Sequence, residues 1–180
     1  RGFAIFRGLP VERYERADLE MIYWGIGAYM GQVISQNAIG DLIAEVTDKG
    51  ASYDNAVNDR GYMSKDKLNP HVDTSDMTAL LCLRTAGTGG VSSLTSSAAV
   101  YNEILARRPD LLEVYYRGFH HDLRGEGPTG SFDEVTHNRI PVFSYHEGLL
   151  SCCYNDKIMR SAHDKIGQPL TNVEREAIDL

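Results

Sequence analysis

Residues 68–96 read LNPHVDTSDMTALLCLRTAGTGGVSSLTS, and this stretch decides how the chain is read. It opens on the triplet His71-Val72-Asp73. In an extended segment, residues i and i+2 face the same side, so an imidazole and a carboxylate at this spacing grip one cation together. The run TALLCLR at 78–84 is nearly all apolar and suits a buried strand. Glycines at 87, 89 and 90 mark a turn, and Ser92 starts a second short extended run over 92–95. A meander of this kind returns Ser92 to the rim that carries His71, where a hydroxyl can hold a carboxylate bound to a metal. An imidazole plus a carboxylate supplies two thirds of a 2-His-1-carboxylate face, which leaves positions open on Fe(II).

Working outward, residues 3–7 read as a short strand ended by Gly8 and Pro10. Residues 15–30 carry Leu19, Ile22, Ile26 and Tyr29 at helical spacing. Residues 42–46 are a further strand candidate, and 51–69 are polar and aperiodic, the kind of segment that is often functional. Ser96 or Ser97 caps a helix to about Arg107, and Pro109 opens a second short helix over 110–116. Residues 119–123 look extended. Residues 140–145 and 149–154 form a hairpin turning at Glu147-Gly148, and 158–166 return to helix. Thr171-Asn172-Val173-Glu174 is a capping box; the short helix after it is marginal unless it packs. The elements do not alternate strand and helix, which argues against a doubly wound parallel sheet. A mainly β fold, an antiparallel sandwich or barrel with peripheral helices, fits better.

The 180 residues carry 18 Lys+Arg against 25 Asp+Glu, a net charge of −7. That balance disfavours nucleic acid and anionic membranes as partners, since both present phosphates. No apolar run approaches the roughly 20 residues a membrane helix needs. Cys82, Cys152 and Cys153 are an odd number without a C-x-x-C, which points to buried thiols, a reducing cytoplasmic-type compartment and no disulfide framework. The chain starts at Arg1 directly before an apolar run and stops soon after the capping box. It therefore reads as one domain, 1–180, that is a piece of a longer protein.

Six His and 14 Asp in 180 residues make about 0.5 chance H-x-D matches expected, so the triplet alone is weak. Read blandly, it is a surface polar pair. A second triplet, His120-His121-Asp122, runs into a polar turn without a hydroxyl-bearing strand after it, and reads as structural. His137, His146 and His163 receive the bland reading too.

Context sharpens the first triplet. The run L-x-x-H-x-D-x-x-D-x-x-x-L-L-C-L-R-x-A-x-x-G-G-x-S-x-x-x-S over 68–96 resembles the taurine dioxygenase (TauD/TfdA) family of Fe(II)/2-oxoglutarate oxygenases. Collinear pieces resemble it as well: Gly2-Phe3 to Gly8, Gly31-Gln32 with Gln36-Asn37, Arg108-Pro109-Asp110-Leu111, Pro141-Val142-Phe143-Ser144, and Pro169-Leu170-Thr171. The resemblance implies a double-stranded β-helix, that is, a clavaminate synthase-like jelly roll with helices on one side. It implies His71 and Asp73 as iron ligands, and Ser92 where such enzymes often contact 2-oxoglutarate. It implies Fe(II), 2-oxoglutarate and O₂ as cofactor and co-substrates, and hydroxylation of a small molecule with release of succinate and CO₂. Gln36, Asn37 and Tyr62 become candidate substrate-side groups, with ordinary loop roles as the alternative, and residues 53–69 a candidate lid. The family's second His ligand and the Arg that holds 2-oxoglutarate come much later in the chain. No His here stands in that context, so the fold is expected to be incomplete at its C-terminal side and this chain alone impaired. Two other readings stay open: a cupin-like metalloenzyme that does not use 2-oxoglutarate, and a non-catalytic jelly-roll binding module. Substrate identity and homo-oligomer formation are also left open.

Overall fold

The computed structural model describes residues 2–51 and 61–180. Among the described residues, five α-helices and one hairpin, with three 3₁₀ turns (Val11–Arg13, Gly61–Met63 and Pro109–Leu111), make up the regular structure: α1 (Arg16–Met30), α2 (Ser97–Arg107), α3 (Leu112–Arg117), β1 (Phe143–His146), β2 (Leu149–Cys152), α4 (Asp156–Lys165) and α5 (Asn172–Asp179). Local chemistry explains their bounds. Ser96 Oγ accepts from Ala99 N at the start of α2, and Asn155 Oδ1 accepts from Ile158 N at the start of α4. At α5 the expected capping box is complete, with Thr171 and Glu174 bonding reciprocally. Strands β1 and β2 pair antiparallel, Phe143 opposite Cys152 and His146 opposite Leu149. Their turn places Glu147 and Gly148 both at positive φ, the backbone of a two-residue hairpin turn.

The core lies between α2, α3, the hairpin, α4 and α5. Leu111, Phe119 and Met159 are fully buried there, with Val114, Tyr115, Val142, Phe143, Ala177 and Ile178 around them. Phe143 meets the rings of Tyr101 and Tyr115 edge-on at 5.2 and 5.6 Å, geometry that favours aromatic pairs. Two hydroxyls, one buried and one half-buried, find carbonyls on α5: Tyr115 donates to Ala177 O at 2.6 Å and Tyr154 to Ile178 O at 2.7 Å. These contacts are what lets so short a helix persist. Helix α3 ends at Gly118, whose φ of +71° is open to glycine and whose absent Cβ would lie 1.9 Å from Ile140 O. Phe119 and Ile140 then exchange backbone hydrogen bonds.

The second triplet is part of this packing. The Asp122 carboxylate is fully buried, 2.8 Å from Lys165 Nζ and 2.5 Å from Ser161 Oγ. His121 is buried beside it, and burial together with neighbouring His120 pushes its pKa down to about 4. His163, read as unremarkable, is also buried, packed edge-on against Phe119. Of the three free thiols, Cys152 and Cys153 are half-buried, while Cys82 is exposed, contrary to the buried reading.

The mainly β expectation is not met among the described residues, where the only ladder is the hairpin. Residues 3–7, 42–46, 78–84 and 92–95 have no ladder partner among the described residues, with bends at 42–43 and 83–84, and so form no strands. The physical reason lies in their surroundings, because a strand requires a hydrogen-bonded neighbour and a covered face. Ile5, Leu80 and Leu94 are instead 72%, 76% and 71% exposed. Before α2, Leu19 is the one buried apolar side chain among the described residues. The total accessible surface is 13069 Å², whereas a compact monomer of this mass exposes about 8,700 Å².

Candidate metal centre

His71 and Asp73 lie between α1 and α2 in the chain and are bonded to the segment that joins β2 to α4. Val72 N donates to Tyr154 O at 2.7 Å, and His71 forms an antiparallel bridge with Asn155. Asn69 Nδ2 donates to Asp156 Oδ2 at 2.9 Å, so the same short segment is tied by side chain to the first turn of α4. These three ties hang the H-x-D triplet on the end of β2 and the start of α4.

The two side chains are arranged for one point between them. His71 Nδ1 lies 2.8 Å from Asn69 O. A carbonyl only accepts, so Nδ1 carries the hydrogen, and in the neutral ring that tautomer puts the lone pair on Nε2. Nε2 faces Asp73 Oδ1 at 3.7 Å, beyond hydrogen-bond distance. The other carboxylate oxygen, Oδ2, accepts from Thr78 Oγ1 at 3.0 Å. Among the described residues, one nitrogen and one oxygen thus face each other with no hydrogen bond shown to either, while the second atom of each group is tied off. Both side chains are partly exposed, at 32% and 53%. A neutral imidazole and a carboxylate suit Fe(II), and the pattern of one ligating atom plus one anchored atom per residue is that of ligands with a supporting shell. Among the described residues, no third His, Cys, Asp or Glu completes a cluster with them.

The remaining sequence candidates fall elsewhere. Ser92 is exposed on the unpaired stretch 92–95, and no hydrogen bond joins it to His71 or Asp73 among the described residues. Asn37 closes its own turn, with Oδ1 accepting from Ile39 N and Asp41 N and Nδ2 donating to Asp41. Gln36 Nε2 bonds Ile34 O. Tyr62 is half-buried in a 3₁₀ turn, where its carbonyl accepts from Thr47 N at 3.1 Å. Among the described residues, no hydrogen bond or ion pair joins any of these four to the His71–Asp73 pair. Of the candidate lid at 53–69, residues 53–60 lie outside the described residues. The sequence reading missed Asn69, Thr78, Asn155 and Asp156. The only signal for Asn155 and Asp156 was helix-start chemistry ahead of 158–166, and Asn69 and Thr78 had no pattern of their own.

The profile of one family, described as taurine catabolism dioxygenase TauD, TfdA family, matches residues 1–179. A protein named FR-33289 synthase, from Streptomyces rubellomurinus, is 36% identical over 182 residues, covering 99% of this chain and 52% of the relative. A taurine hydroxylase-like protein, SAT17, from Stachybotrys chartarum is 33% identical over 160 residues, covering 85% of this chain and 40% of the relative. The chain therefore spans about half the length, or less, of these curated relatives. Matched from end to end, the chain belongs to the taurine catabolism dioxygenase TauD, TfdA family of Fe(II)/2-oxoglutarate-dependent dioxygenases.

Proposed function

We propose that the protein is an Fe(II)- and 2-oxoglutarate-dependent dioxygenase that hydroxylates a small molecule and releases succinate and CO₂. The observation that carries this reading is the facing pair His71 Nε2 and Asp73 Oδ1, each with its second atom anchored away. When bound, Fe(II) with 2-oxoglutarate supplies the oxidising power and O₂ activation that side chains lack. The residues supply position. His71 offers Nε2 because Asn69 O holds the hydrogen on Nδ1. Asp73 offers Oδ1 because Thr78 occupies Oδ2. Ser92, on a stretch with no ladder partner here, is assigned to the 2-oxoglutarate carboxylate, and Gln36, Asn37 and Tyr62 to the substrate side. These four need a rearrangement or a covering layer to reach the pair.

A covering layer is part of the proposal. The jelly roll is assigned to a longer polypeptide, whose further strands pair with residues 3–7, 42–46, 78–84 and 92–95. The roughly 4,000 Å² of surface beyond that of a compact monomer supports this. So does the length of the curated relatives. No described helix is long and apolar enough to cross a membrane. A cytoplasmic location and a small-molecule partner, with homo-oligomerisation open, complete the reading.

The test is anaerobic titration of the full-length polypeptide with Fe(II) and 2-oxoglutarate, followed by visible absorption. The expected result is a band that needs both additions and disappears in His71→Ala and in Asp73→Ala. Metal binding that ignores 2-oxoglutarate would move the assignment to another jelly-roll metalloenzyme. Unchanged metal content in both variants would leave a binding module.

A further inference from the structure

We infer that Thr78 is a positioning residue for the metal site: its hydroxyl fixes the Asp73 carboxylate so that a single oxygen, Oδ1, is presented beside His71 Nε2. The inference rests on the assignment of His71 and Asp73 as metal ligands and goes beyond it to a residue that neither the H-x-D pattern nor any ligand spacing picks out.

A carboxylate on a two-torsion side chain, exposed as Asp73 is, rotates freely unless something holds it. Both oxygens are then equivalent, and it can meet a cation through either or both. Here the symmetry is broken. Thr78 Oγ1 donates to Oδ2 at 3.0 Å from five residues along the chain, across the bend at 74–76. A hydroxyl has one hydrogen, so with that hydrogen on Asp73 the oxygen of Thr78 can only accept from its other neighbour. Ser75 Oγ, 3.3 Å away, has one hydrogen to share between Thr78 Oγ1 and Met77 O, the latter at 3.2 Å. The backbone beside Thr78 is held, because Tyr23 of α1 donates its phenol hydrogen to Ala79 O at 2.6 Å. The bend from Asp73 to Ala79 therefore has a fixed far end, and the Thr78 hydroxyl sits on it. On the opposite side, His71 is fixed by Asn69 O and by the Tyr154–Asn155 backbone. The two ligands are held by separate supports, one from the α4 side and one from the α1 side, and their free atoms converge at 3.7 Å. Supports of this kind orient metal ligands, and removing one typically costs 10–100-fold in metal affinity.

The consequence is specific to the hydroxyl. Valine matches the shape of threonine but cannot donate, and serine donates without the methyl group. Co(II) is the probe, since its visible absorption reports ligand number and geometry as well as occupancy. In the full-length polypeptide, Thr78→Val is expected to weaken Co(II) binding about 10–100-fold and to alter the visible band of the saturated protein. Thr78→Ser is expected to keep the wild-type band and an affinity within about threefold of wild type. Thermal midpoints of both variants are expected to match wild type, because Thr78 is exposed. Wild-type affinity and band shape in Thr78→Val overturn the inference. Equal loss in Thr78→Val and Thr78→Ser also overturns it, since binding would then follow any change of shape at position 78 and not the hydroxyl. His71→Ala is the separate control: if it leaves Co(II) binding intact, the ligand assignment itself fails, and the role of Thr78 falls with it.

Discussion

Glu174 offers the most direct check on how the packed half is held together. Its side chain is 3% exposed, yet four donors surround it. Thr171 N and Thr171 Oγ1 reach Oε2 at 2.9 and 2.8 Å, and Arg139 Nη1 and Arg117 Nη2 reach Oε1 at 2.7 and 3.4 Å. Burial on its own pushes the carboxyl upward. The Thr171 N–H, the Arg139 hydrogen bond, the Thr171 hydroxyl and the Arg139 charge outweigh it and hold the group down at about 2. A depressed carboxyl contributes stability above its unfolded value and loses it as pH falls through the folded one. From an ordinary value near 4.5, this amounts to about 3 kcal/mol at pH 6, falling to about 1 kcal/mol at pH 3. Glu174→Gln keeps a residue able to close the capping box, since Gln serves at that position, but removes the charge. Urea unfolding of both proteins between pH 3 and pH 6 measures the difference directly. The stability gap between wild type and Glu174→Gln is expected to narrow by about 2 kcal/mol on acidification. Using the gap, and not the wild-type curve alone, removes contributions from Asp110 and Asp122, whose carboxyls are also held low. A gap that stays constant with pH would refute the reasoning, because it would mean that the Thr171 and Arg139 donors do not favour the ionised Glu174 on folding.

Two further changes probe the same half. Lys165→Met strips the cation from a fully buried Asp122 carboxylate and is expected to cost about 3–5 kcal/mol in urea unfolding. A milder loss in Asp122→Asn combined with Lys165→Met would show that the uncompensated charge, and not lost packing, is the cause. Gly118→Ala forces a side chain into a φ of +71° and against Ile140 O, so it is expected to lower stability by more than about 2 kcal/mol or to prevent folding. Circular dichroism with thermal melting distinguishes these outcomes.

What the sequence revealed depended on whether the signal was local. The start of α2 at Ser96, the capping box of α5 and the Glu147-Gly148 turn are all set by residues within a few positions of one another, and each appears where expected. The H-x-D triplet was legible for the same reason. The strands at 3–7 and 78–84 were read from apolar content and that at 92–95 from the glycine turn before it, but a strand is defined by its neighbour, and sequence pattern says nothing about whether one is present. The supports of the site were invisible because each is long-range: Asn69 to Asp156, His71 to Asn155, Tyr23 to Ala79. Thr78 lies nearest, only five residues from Asp73, but one threonine after an aspartate carries no pattern until the bend at 74–76 turns it back.

The placement of the triplet also bears on how the site forms. Its backbone is bonded to Tyr154 and Asn155, at the point where β2 passes into α4. Both flanks of that point are fixed in the core, since Tyr154 OH bonds Ile178 O and Met159 of α4 is fully buried. The direction of His71 therefore depends on the packing of α4 and α5, not on the extended stretches on the other side. Asp73 depends instead on Thr78 and, through Ala79, on α1, whose one buried residue is Leu19. The two ligands thus draw on halves of very different packing. Destabilising the α4–α5 side should disorder His71, while loosening α1 should free the Asp73 carboxylate and leave His71 in place. Tyr23→Phe, which removes only the bond to Ala79 O, separates the two cases: it is expected to reproduce a diluted form of the Thr78→Val effect on Co(II) spectra without changing the backbone signals of His71. Loss of the His71 signals in Tyr23→Phe would instead mean that the two supports are one cooperative unit.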